Sequence, residues 1–415
     1  MALSRRFFML VSVSNRHIGF AILVAALGYF VDGYDIAIFS AVRVASLKSL
    51  GLSGSDLTTT GGFLMNVQLI GMLLGGVGWG ILGDRLGRLQ VLFGSILLYS
   101  LANFGNAFVQ SVDQYAFCRF IGGVGLAGEI GAGITLVSEL ISKEKRGYGT
   151  MLVAFIGVLG FASAGFIGDL LSWSNAYIAG GCMGIALLFL RLSVVESPLF
   201  RATEMMDLTR GDLKLFLTSK ERFFRYLCCV FSGAALYVYL TLFVVFAPEV
   251  GTALGIVEPL KSGKALMYAC SALACGCVVA SYACQILRSR KKVLYGCAIA
   301  YCGVGLYLLT AVHEAQAYYT TLAVMDFFNG SWVVLLSTVT EQFGTNLRAT
   351  AATSVPNFIR GLGVVHTSLF MALKPFVGVL PAIALILVSF TLIALLSIHF
   401  LRETFGADLD FVEKD

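Results

Sequence analysis

The stretch GWGILGDRLGR, residues 78 to 88, joins two apolar runs that are each long enough to form a membrane-spanning helix. Its glycines permit a tight turn and a close approach between two helices. Asp84 is able to accept hydrogen bonds from a neighbouring helix N-terminus, or to pair with an arginine such as Arg146. The stretch therefore predicts a short charged connection between two helices that are apolar along most of their length.

The rest of the chain repeats this alternation of long apolar runs and short charged connections. Hydrophobic residues make up 58% of the 415 positions, charged residues 13%, and the mean hydropathy is +0.86. A soluble domain of this composition lacks the polar groups to cover its surface. Short alternating segments typical of a membrane β-barrel are not seen. The sequence predicts an all-α membrane protein with twelve spans, near residues 17–43, 57–82, 90–111, 114–139, 148–171, 174–194, 223–248, 263–287, 293–312, 317–341, 348–373 and 376–401.

The distribution of basic residues predicts the orientation of these spans. Most of the 29 lysines and arginines lie in the N-terminal segment, the C-terminal segment and every second connection. Because cytoplasmic connections are enriched in basic residues, both termini are expected in the cytoplasm of a multi-pass plasma membrane protein, with a bacterial inner membrane as its setting. The net charge of +5 is then a topology signal, and no nucleic acid is expected as a partner.

A polar segment near the middle divides the twelve spans into two sets of six. We expect an N-terminal six-helix bundle over 1–194, a cytoplasmic linker over 195–222 and a C-terminal six-helix bundle over 223–415. An offset of 202 residues aligns RLQVLFG from Arg88 with RKKVLYG from Arg290, Glu139 with Glu341, and Arg146 with Arg348. Several matches at one offset indicate a duplicated six-helix unit.

The GWGILGDRLGR stretch resembles the signature between helices 2 and 3 of the major facilitator superfamily, with matches at Gly80, Leu82, Asp84, Arg85, Gly87 and Arg88. RFIGGVGLAGE (119–129), SELISKEKRG (138–147), ESPLF (196–200) and EQFGTNLRATA (341–351) resemble segments of its sugar and organic-ion branches. DGYD (32–35) resembles the helix 1 signature of the aromatic-acid:proton symporters. The resemblance implies two pseudo-symmetric bundles and an ion-pair latch at the cytoplasmic ends. Its expected members are Gly80, Asp84, Arg85, Gly87, Arg88, Glu139, Arg146, Glu341 and Arg348.

Four charged residues of the first half lie at membrane depth and have no counterpart in the second half. At the 202-residue offset Asp32, Asp35, Arg119 and Glu129 correspond to Ala234, Tyr237, Thr321 and Ser331. Ionisable groups in a membrane are costly and usually functional. Asp35 and Arg119 lie at about 10 Å and about 8 Å depth from the same side, at 1.5 Å per residue, so a pair of Arg119 with Asp35 or Asp32 is expected. Because a buried carboxylate is held between neutral and charged forms by desolvation and a nearby arginine, these residues are predicted to couple protons to transport, with Asp35 as the proton carrier.

The second half offers candidates for substrate binding. Arg360, about midway along the eleventh span, is able to hold a carboxylate or phosphate through two hydrogen bonds; alternatively Asp326 neutralises it in a structural pair. Aromatic residues near it suit a planar substrate but also serve helix packing. The predicted substrate site comprises Arg360, Tyr237, Asn329, Trp332, Gln68 and Asp326.

These residues favour a secondary active transporter that moves a small organic anion, aromatic or otherwise carboxylate, together with protons, by alternating access. The alternatives are a proton-coupled transporter of a sugar or neutral metabolite, and a non-transporting sensor on a transporter fold, which would not retain the membrane-depth charges. Enzymatic activity and cofactors are not expected, because no nucleophile constellation or metal-ligand spacing is present. The expected partners are a small-molecule substrate, protons and the lipid bilayer, with the protein as a monomer.

Overall fold

The computed structural model describes residues 15–86, 88–129, 146–192 and 219–406, and the account below is confined to them. Within the first three ranges the chain forms long helices joined by short turns. The bends between them are favoured by local sequence, as where Ser111 and Ser172 accept hydrogen bonds from the backbone at the starts of two helices. These helices are α1 (Asn15–Ser49), α2 (Ser55–Leu86), α3 (Arg88–Ala107), α4 (Val112–Leu126), α5 (Arg146–Leu170) and α6 (Trp173–Arg191).

The second half contains two helices that are interrupted where the sequence predicts continuous spans. The seventh span consists of α7a (Lys220–Ser232), a turn, a π-helix (Tyr239–Val244) and α7b (Ala247–Ala253). The tenth consists of α10a (Ala315–Phe328), a 3₁₀ turn (Asn329–Ser331) and α10b (Trp332–Gln342). Regular helices complete this half: α8 (Ser262–Leu287), α9 (Arg290–Ala311), α11 (Thr345–Val377) and α12 (Val379–Phe400).

The helices pack in a pattern that repeats at the 202-residue offset. Within the halves, α1 packs along α5, and α8 packs along α10. Between the halves, α2 packs against α11, and α8 packs against α5. The offset of 202 residues carries α2 onto α8 and α5 onto α11, so these two contacts are equivalent. The predicted duplication is therefore visible in the packing between helices.

Small residues bring the helix backbones close together where α8 meets the interruption of α10. A Cβ atom on Gly276 would lie 1.9 Å from the carbonyl oxygen of Phe327, and one on Gly330 would lie 2.1 Å from the carbonyl carbon of Gly276. Only glycine permits this approach. The break in α10 is thereby fixed against α8 at the depth of the central cavity.

Eight helices among the described residues are long and apolar enough to cross a membrane. The set includes the interrupted α10 as one span, whereas α3, α4, α7 and α11 fall outside it. We use the term N face for the side of the bundle where α1 begins. It also carries the start of α7a, the α8–α9 connection, the end of α10b and the end of α12. The opposite face carries the end of α1 and α7b.

The first-half latch predicted from the sequence lies largely outside the described part of the chain. Glu139 and Gly87 are outside the described residues, and so is most of the linker over 195–222. For four further members only the backbone is described, namely Asp84, Arg85, Arg88 and Arg146. Gly80 is described, and a Cβ on it would lie 3.9 Å from the Cβ of Thr353 on α11. An added Cβ would make only an ordinary van der Waals contact there, so the described packing does not require glycine at this position.

Candidate functional site

A small cavity lies at the centre of the helices, between the two halves of the chain. Its volume is about 30 Å³, enough for a water molecule or two but not for an organic substrate. The halves are therefore closed around it in this conformation. The wall is largely aromatic and apolar and includes one arginine; it is formed by Tyr29, Val158, Phe161, Leu236, Tyr237, Tyr239, Leu273, Asn329, Trp332 and Arg360.

An ion pair between α1 and α11 connects the halves beside this cavity. Nη2 of Arg360 donates to Oδ2 of Asp32 at 3.2 Å, and the two side chains are 1% and 0% exposed. Within the described residues, Nη1 of Arg360 and Oδ1 of Asp32 have no hydrogen-bond partner. The alternative in which Asp326 neutralises Arg360 is therefore wrong. Arg360 is thus paired with Asp32 through Nη2, while its Nη1 is available to donate to another acceptor.

Asp35 and Arg119 do not form the expected ion pair. Oδ1 of Asp35 accepts a hydrogen bond from Nδ2 of Asn103 at 2.6 Å, and no described cation lies within ion-pair distance of it. Arg119 donates to Oε1 of Gln68, and its guanidinium lies 4.4 Å from the centre of the Phe39 ring. The expected pair of Arg119 with Asp32 is also absent among the described residues, because Asp32 faces Arg360 across the halves.

Glu129, which the sequence groups with the aspartates, is paired within the first half. It lies just after α4 and accepts two hydrogen bonds from Arg191 at the end of α6, one of them at 3.0 Å from Nη1 to Oε2. Both side chains are 1% exposed. Arg191 lies at the end of an apolar run, and the structure buries it. The pair links the segment after α4 to the end of α6.

Four of the six predicted substrate residues line the cavity, namely Arg360, Tyr237, Asn329 and Trp332. The other two, Gln68 and Asp326, are buried behind the wall. Gln68 contacts Arg119, and Oδ1 of Asp326 accepts a hydrogen bond from Nδ2 of Asn329 at 2.7 Å. They support functional side chains and are not themselves part of the wall.

Two further polar contacts join the two halves, one of them within the cavity wall. Nε1 of Trp332 donates to the hydroxyl of Tyr29 at 3.1 Å. Nδ2 of Asn357 on α11 donates to the carbonyl oxygen of Ala127 at 2.9 Å. Each contact joins helices that belong to different halves, so each must break or shift if the halves move relative to each other.

The opposite face carries an ion pair between α1 and α7b. Nη2 of Arg43 donates to both carboxylate oxygens of Glu249, at 3.0 and 3.1 Å, and Oγ1 of Thr58 donates to the same carboxylate at 2.9 Å. Arg43 is 1% exposed. Arg43 lies near the end of α1, so this ion pair joins the two halves at the opposite face.

At the N face, Glu341 and Arg348, the second-half members of the predicted latch, each contact other residues. Glu341 accepts hydrogen bonds from Nε and Nη2 of Arg290, at 2.7 and 2.6 Å. Nε of Arg348 donates to the carbonyl oxygen of Thr340 at 3.1 Å. The first residue of α9 is thus tied to the end of α10b, so the charged cluster that the sequence predicts here is built around Arg290.

Glu403, just after α12, supplies a further carboxylate to this cluster. It accepts hydrogen bonds from the Ser289 hydroxyl and from the backbone N–H of Arg290, at 2.9 Å, and of Lys291, at 3.3 Å. Burial would raise the pKa of Glu403, but these hydrogen bonds outweigh it and lower the pKa below its usual value. At the 202-residue offset, Asp84 of the first-half signature corresponds to Ile286, which carries no carboxylate. The carboxylate that caps the start of α9 is instead that of Glu403, from the segment after α12.

Several residues of the site are missed by sequence reasoning. Tyr29 and Phe161 are ordinary aromatic residues within apolar runs, and nothing in their local pattern separates cavity wall from helix packing. Asn103, the partner of Asp35, is one of two asparagines in the third span and offers a signal that a search for buried polar groups would detect. Arg191 and Glu249 are also detectable as charges at the ends of apolar runs, although their partners are not.

Comparison with known proteins agrees with this geometry. The sequence profile of the Major Facilitator Superfamily matches residues 25–366, most of the chain. The chain belongs to this superfamily. It is therefore a multi-pass membrane transporter with the twelve-helix fold of two pseudo-symmetric six-helix bundles, and its substrates are small molecules.

Three similar proteins illustrate the range of relatives. The Bacillus subtilis protein named "Putative niacin/nicotinamide transporter NiaP" is 27% identical over 354 residues, covering 82% of this chain and 85% of its own. The 4-hydroxybenzoate transporter PcaK of Pseudomonas putida is 32% identical over 187 residues, covering 43% and 40%. The niacin transporter NiaP of Acinetobacter baylyi is 32% identical over 178 residues, covering 42% and 40%.

The fold is similar to a solved structure of the proton:xylose symporter XylE bound to 6-bromo-6-deoxy-D-glucose. The TM-score is 0.74 with 19% identity, and the match covers 96% of this chain and 98% of the other. The predicted superfamily membership and fold class are thus confirmed, while the identity is low enough that this likeness concerns the fold alone.

Proposed function

We propose that this transporter is a symporter of protons and small aromatic carboxylates. The observation that carries the proposal is the buried ion pair of Asp32 and Arg360 across the two halves, beside an aromatic cavity. In this proposal the halves are 1–194 and 223–415, joined by a linker over 195–222. Both termini face the cytoplasm, and the membrane is a bacterial inner membrane.

The residues of the cavity wall have the chemistry to bind an aromatic acid once the halves open. Tyr29, Tyr237 and Trp332 offer planar surfaces against which a ring stacks or packs edge to face, and Arg360 offers a cation with an unused donor nitrogen. A guanidinium binds a carboxylate through two parallel hydrogen bonds. The named relatives transport niacin and 4-hydroxybenzoate, both aromatic carboxylates, and this supports the same substrate class here.

Binding of a substrate carboxylate at Arg360 competes with Asp32. When the substrate takes the guanidinium, Asp32 is left without a cation in a buried site, and burial of an unpaired charge is costly. Uptake of a proton by Asp32 removes that cost. Substrate binding and protonation are thereby linked through a single arginine.

Asp35 is the proposed proton carrier. It is 2% exposed, lies one turn beyond Asp32 on nearly the same helix face, and has the neutral amide of Asn103 as its partner. A protonated Asp35 is able to pass its proton to Asp32 when the substrate arrives. The negative charge left on Asp35 then has Arg119 as the candidate cation in its own half. The predicted Asp35–Arg119 ion pair would therefore form in the substrate-loaded state.

Uptake into proteoliposomes tests the proposal. With the outside acidic, labelled benzoate, 4-hydroxybenzoate and nicotinate are compared with xylose, and a protonophore is added in parallel. Accumulation of the acids above equilibrium, abolished by the protonophore, is the expected result. Accumulation of xylose without any acid would instead support transport of a neutral metabolite.

Aspartate variants separate coupling from binding. Asp35→Asn is expected to lose gradient-driven accumulation while it retains exchange of labelled for unlabelled acid, because exchange needs no net proton movement. Asp56→Asn, an exposed aspartate at the start of α2, is the matched control and should behave as wild type. Accumulation without a proton gradient that is also unchanged in Asp35→Asn contradicts proton coupling.

A further inference from the structure

Asn329 lies in the interruption of α10 and its side-chain amide has a defined orientation. Nδ2 donates one hydrogen bond to the carbonyl oxygen of Leu236, at 3.0 Å, and another to Oδ1 of Asp326, at 2.7 Å. Both N–H groups of the amide are therefore used. Leu236 belongs to the turn that interrupts α7, so the amide connects the two broken helices at the cavity.

The orientation does not depend on how the two ends of an amide are assigned. A backbone carbonyl is only an acceptor, so the end of Asn329 that faces Leu236 must be the NH₂ group. A rotated amide would place its oxygen against the carbonyl oxygen of Leu236, which has no proton to donate. The backbone of α7 thus fixes which atom of Asn329 remains available.

The available atom is an acceptor. Oδ1 of Asn329 is buried and has no partner within the described part of the chain, while the residue itself is part of the cavity wall. A buried carbonyl oxygen without a donor is costly, and a bound molecule that brings a donor removes this cost. The same wall contains the unused Nη1 of Arg360, which is only a donor.

We propose that Asn329, positioned by Asp326 and Leu236, is a specificity-determining acceptor that selects aromatic acids carrying a hydroxyl or amino donor. The carboxylate of such a molecule occupies Arg360, and its ring donor occupies Oδ1 of Asn329. Acids whose ring carries only an acceptor, such as a methoxy group or an unprotonated ring nitrogen, leave this oxygen unpaired. The inference rests on the proposed function, since it concerns the same cavity and the same substrate class.

Binding to the detergent-purified wild-type protein tests the ligand side of the inference. Dissociation constants are measured by calorimetry for benzoate, 3- and 4-hydroxybenzoate, 4-aminobenzoate and 4-methoxybenzoate. At least one donor-bearing acid is expected to bind about tenfold more tightly than benzoate, the size of one hydrogen bond that satisfies a buried acceptor. The methoxy compound is expected to gain nothing. Equal affinities for all five overturn the inference but not the proposed function, whereas no binding of any acid overturns both.

Variants test the residue. Asn329→Ala should weaken the binding of donor-bearing acids more than that of benzoate, so that the tenfold donor preference is lost. Tyr237→Phe is the comparison, because the Tyr237 hydroxyl also lacks a partner at this wall. If Tyr237→Phe removes the donor preference and Asn329→Ala keeps it, Tyr237 is the selecting residue and the inference is wrong. Asp326→Leu should weaken the preference without direct contact with the ligand, since it releases one of the two bonds that orient the amide.

Discussion

Asp32 and Arg360 are separated by 328 positions in the chain, yet their side chains form a buried ion pair with 3.2 Å between Oδ2 and Nη2. The pair joins α1 of the first half to α11 of the second half at the cavity wall. In the proposed transport cycle the two halves move relative to each other, and a contact of this kind would link the charge state of the site to the arrangement of the halves.

Removing one member of this pair should destabilise the protein more than removing both. Asp32→Asn leaves the Arg360 charge buried without a partner, which costs about 3–5 kcal/mol in buried pairs. The double variant Asp32→Asn with Arg360→Gln removes that unpaired charge and should recover much of the loss. Thermal unfolding of the purified variants in detergent measures the difference. A double variant less stable than Asp32→Asn alone would show that the pair is not coupled in this way.

Arg360→Lys should separate charge from geometry. Lysine keeps the positive charge but lacks the planar fork that holds a carboxylate through two bonds, so affinity for aromatic acids should fall by about tenfold while some binding remains. Calorimetry on the variant gives the comparison. Unchanged affinity for every transported acid in both Arg360→Lys and Arg360→Ala rules out a substrate role for Arg360.

The Arg43–Glu249 pair should stabilise the closed arrangement of the opposite face. Glu249→Gln weakens the two charged hydrogen bonds of a buried arginine, at a cost of about 1–3 kcal/mol, and should increase hydrogen exchange in α1 and α2 over residues 43–62. The charge-reversed double variant Arg43→Glu with Glu249→Arg should restore part of the protection. Glu258→Gln, an exposed acid after α7b, serves as the control. Equal exchange in Glu249→Gln and in this control would contradict the prediction.

Gly28 permits α1 to lie against the Glu129–Arg191 pair. A Cβ at this position would lie 2.1 Å from both Nη2 of Arg191 and Oε1 of Glu129, so Gly28→Ala must displace a buried ion pair and should lower stability by about 3 kcal/mol or more. Gly19→Ala, in the same helix, meets no atom within 4 Å. It should be neutral or stabilising by up to about 1 kcal/mol, the helix preference for alanine. Similar unfolding temperatures for the two variants would refute this explanation.

Docking of the segment after α12 should depend on pH through Glu403. The pKa of Glu403 in the folded protein is lowered, so its carboxylate contributes stability above the usual value, and this contribution is lost as the pH falls through the lowered pKa. After correction for the intrinsic pH dependence of amide exchange, the backbone amides of residues 290–292 should therefore be less protected in acid than at neutral pH. Glu403→Gln should show the lower protection already at neutral pH, whereas Ser289→Ala, which removes one of several hydrogen bonds, should show a smaller effect. Equal protection at both pH values in wild type would exclude this role.

The breaks in α7 and α10 illustrate which parts of the fold the sequence leaves open. Hydropathy places both spans correctly, because it sums side-chain contributions along the chain. It does not register a change of backbone hydrogen bonding, so the π-helix at Tyr239–Val244 and the 3₁₀ turn at Asn329–Ser331 do not appear in it. Such irregular turns are tolerated at membrane depth where they face protein or a cavity, and that condition is a property of the neighbours.

The site shows the same division. Four of the predicted substrate residues line the cavity. The sequence identifies them because two aromatic residues, an asparagine and an arginine stand out within apolar runs. Asp326 and Gln68 are equally conspicuous but lie behind the wall. A helix turns by about 100° per residue, so a small error in helix rotation exchanges wall positions for positions behind the wall.

The sequence alone determined that this chain is a twelve-span helical membrane protein of two related halves, and that Asp32, Asp35, Arg119, Glu129 and Arg360 are unusual. Both conclusions follow from one-dimensional properties, the length of apolar runs and the cost of charge within them. The tertiary structure decided the partners: Asp32 with Arg360, Asp35 with Asn103, Arg119 with Gln68, and Glu129 with Arg191. A pair forms only where the charged faces of two packed helices meet at the same depth, and that meeting is set by the packing of all twelve helices together.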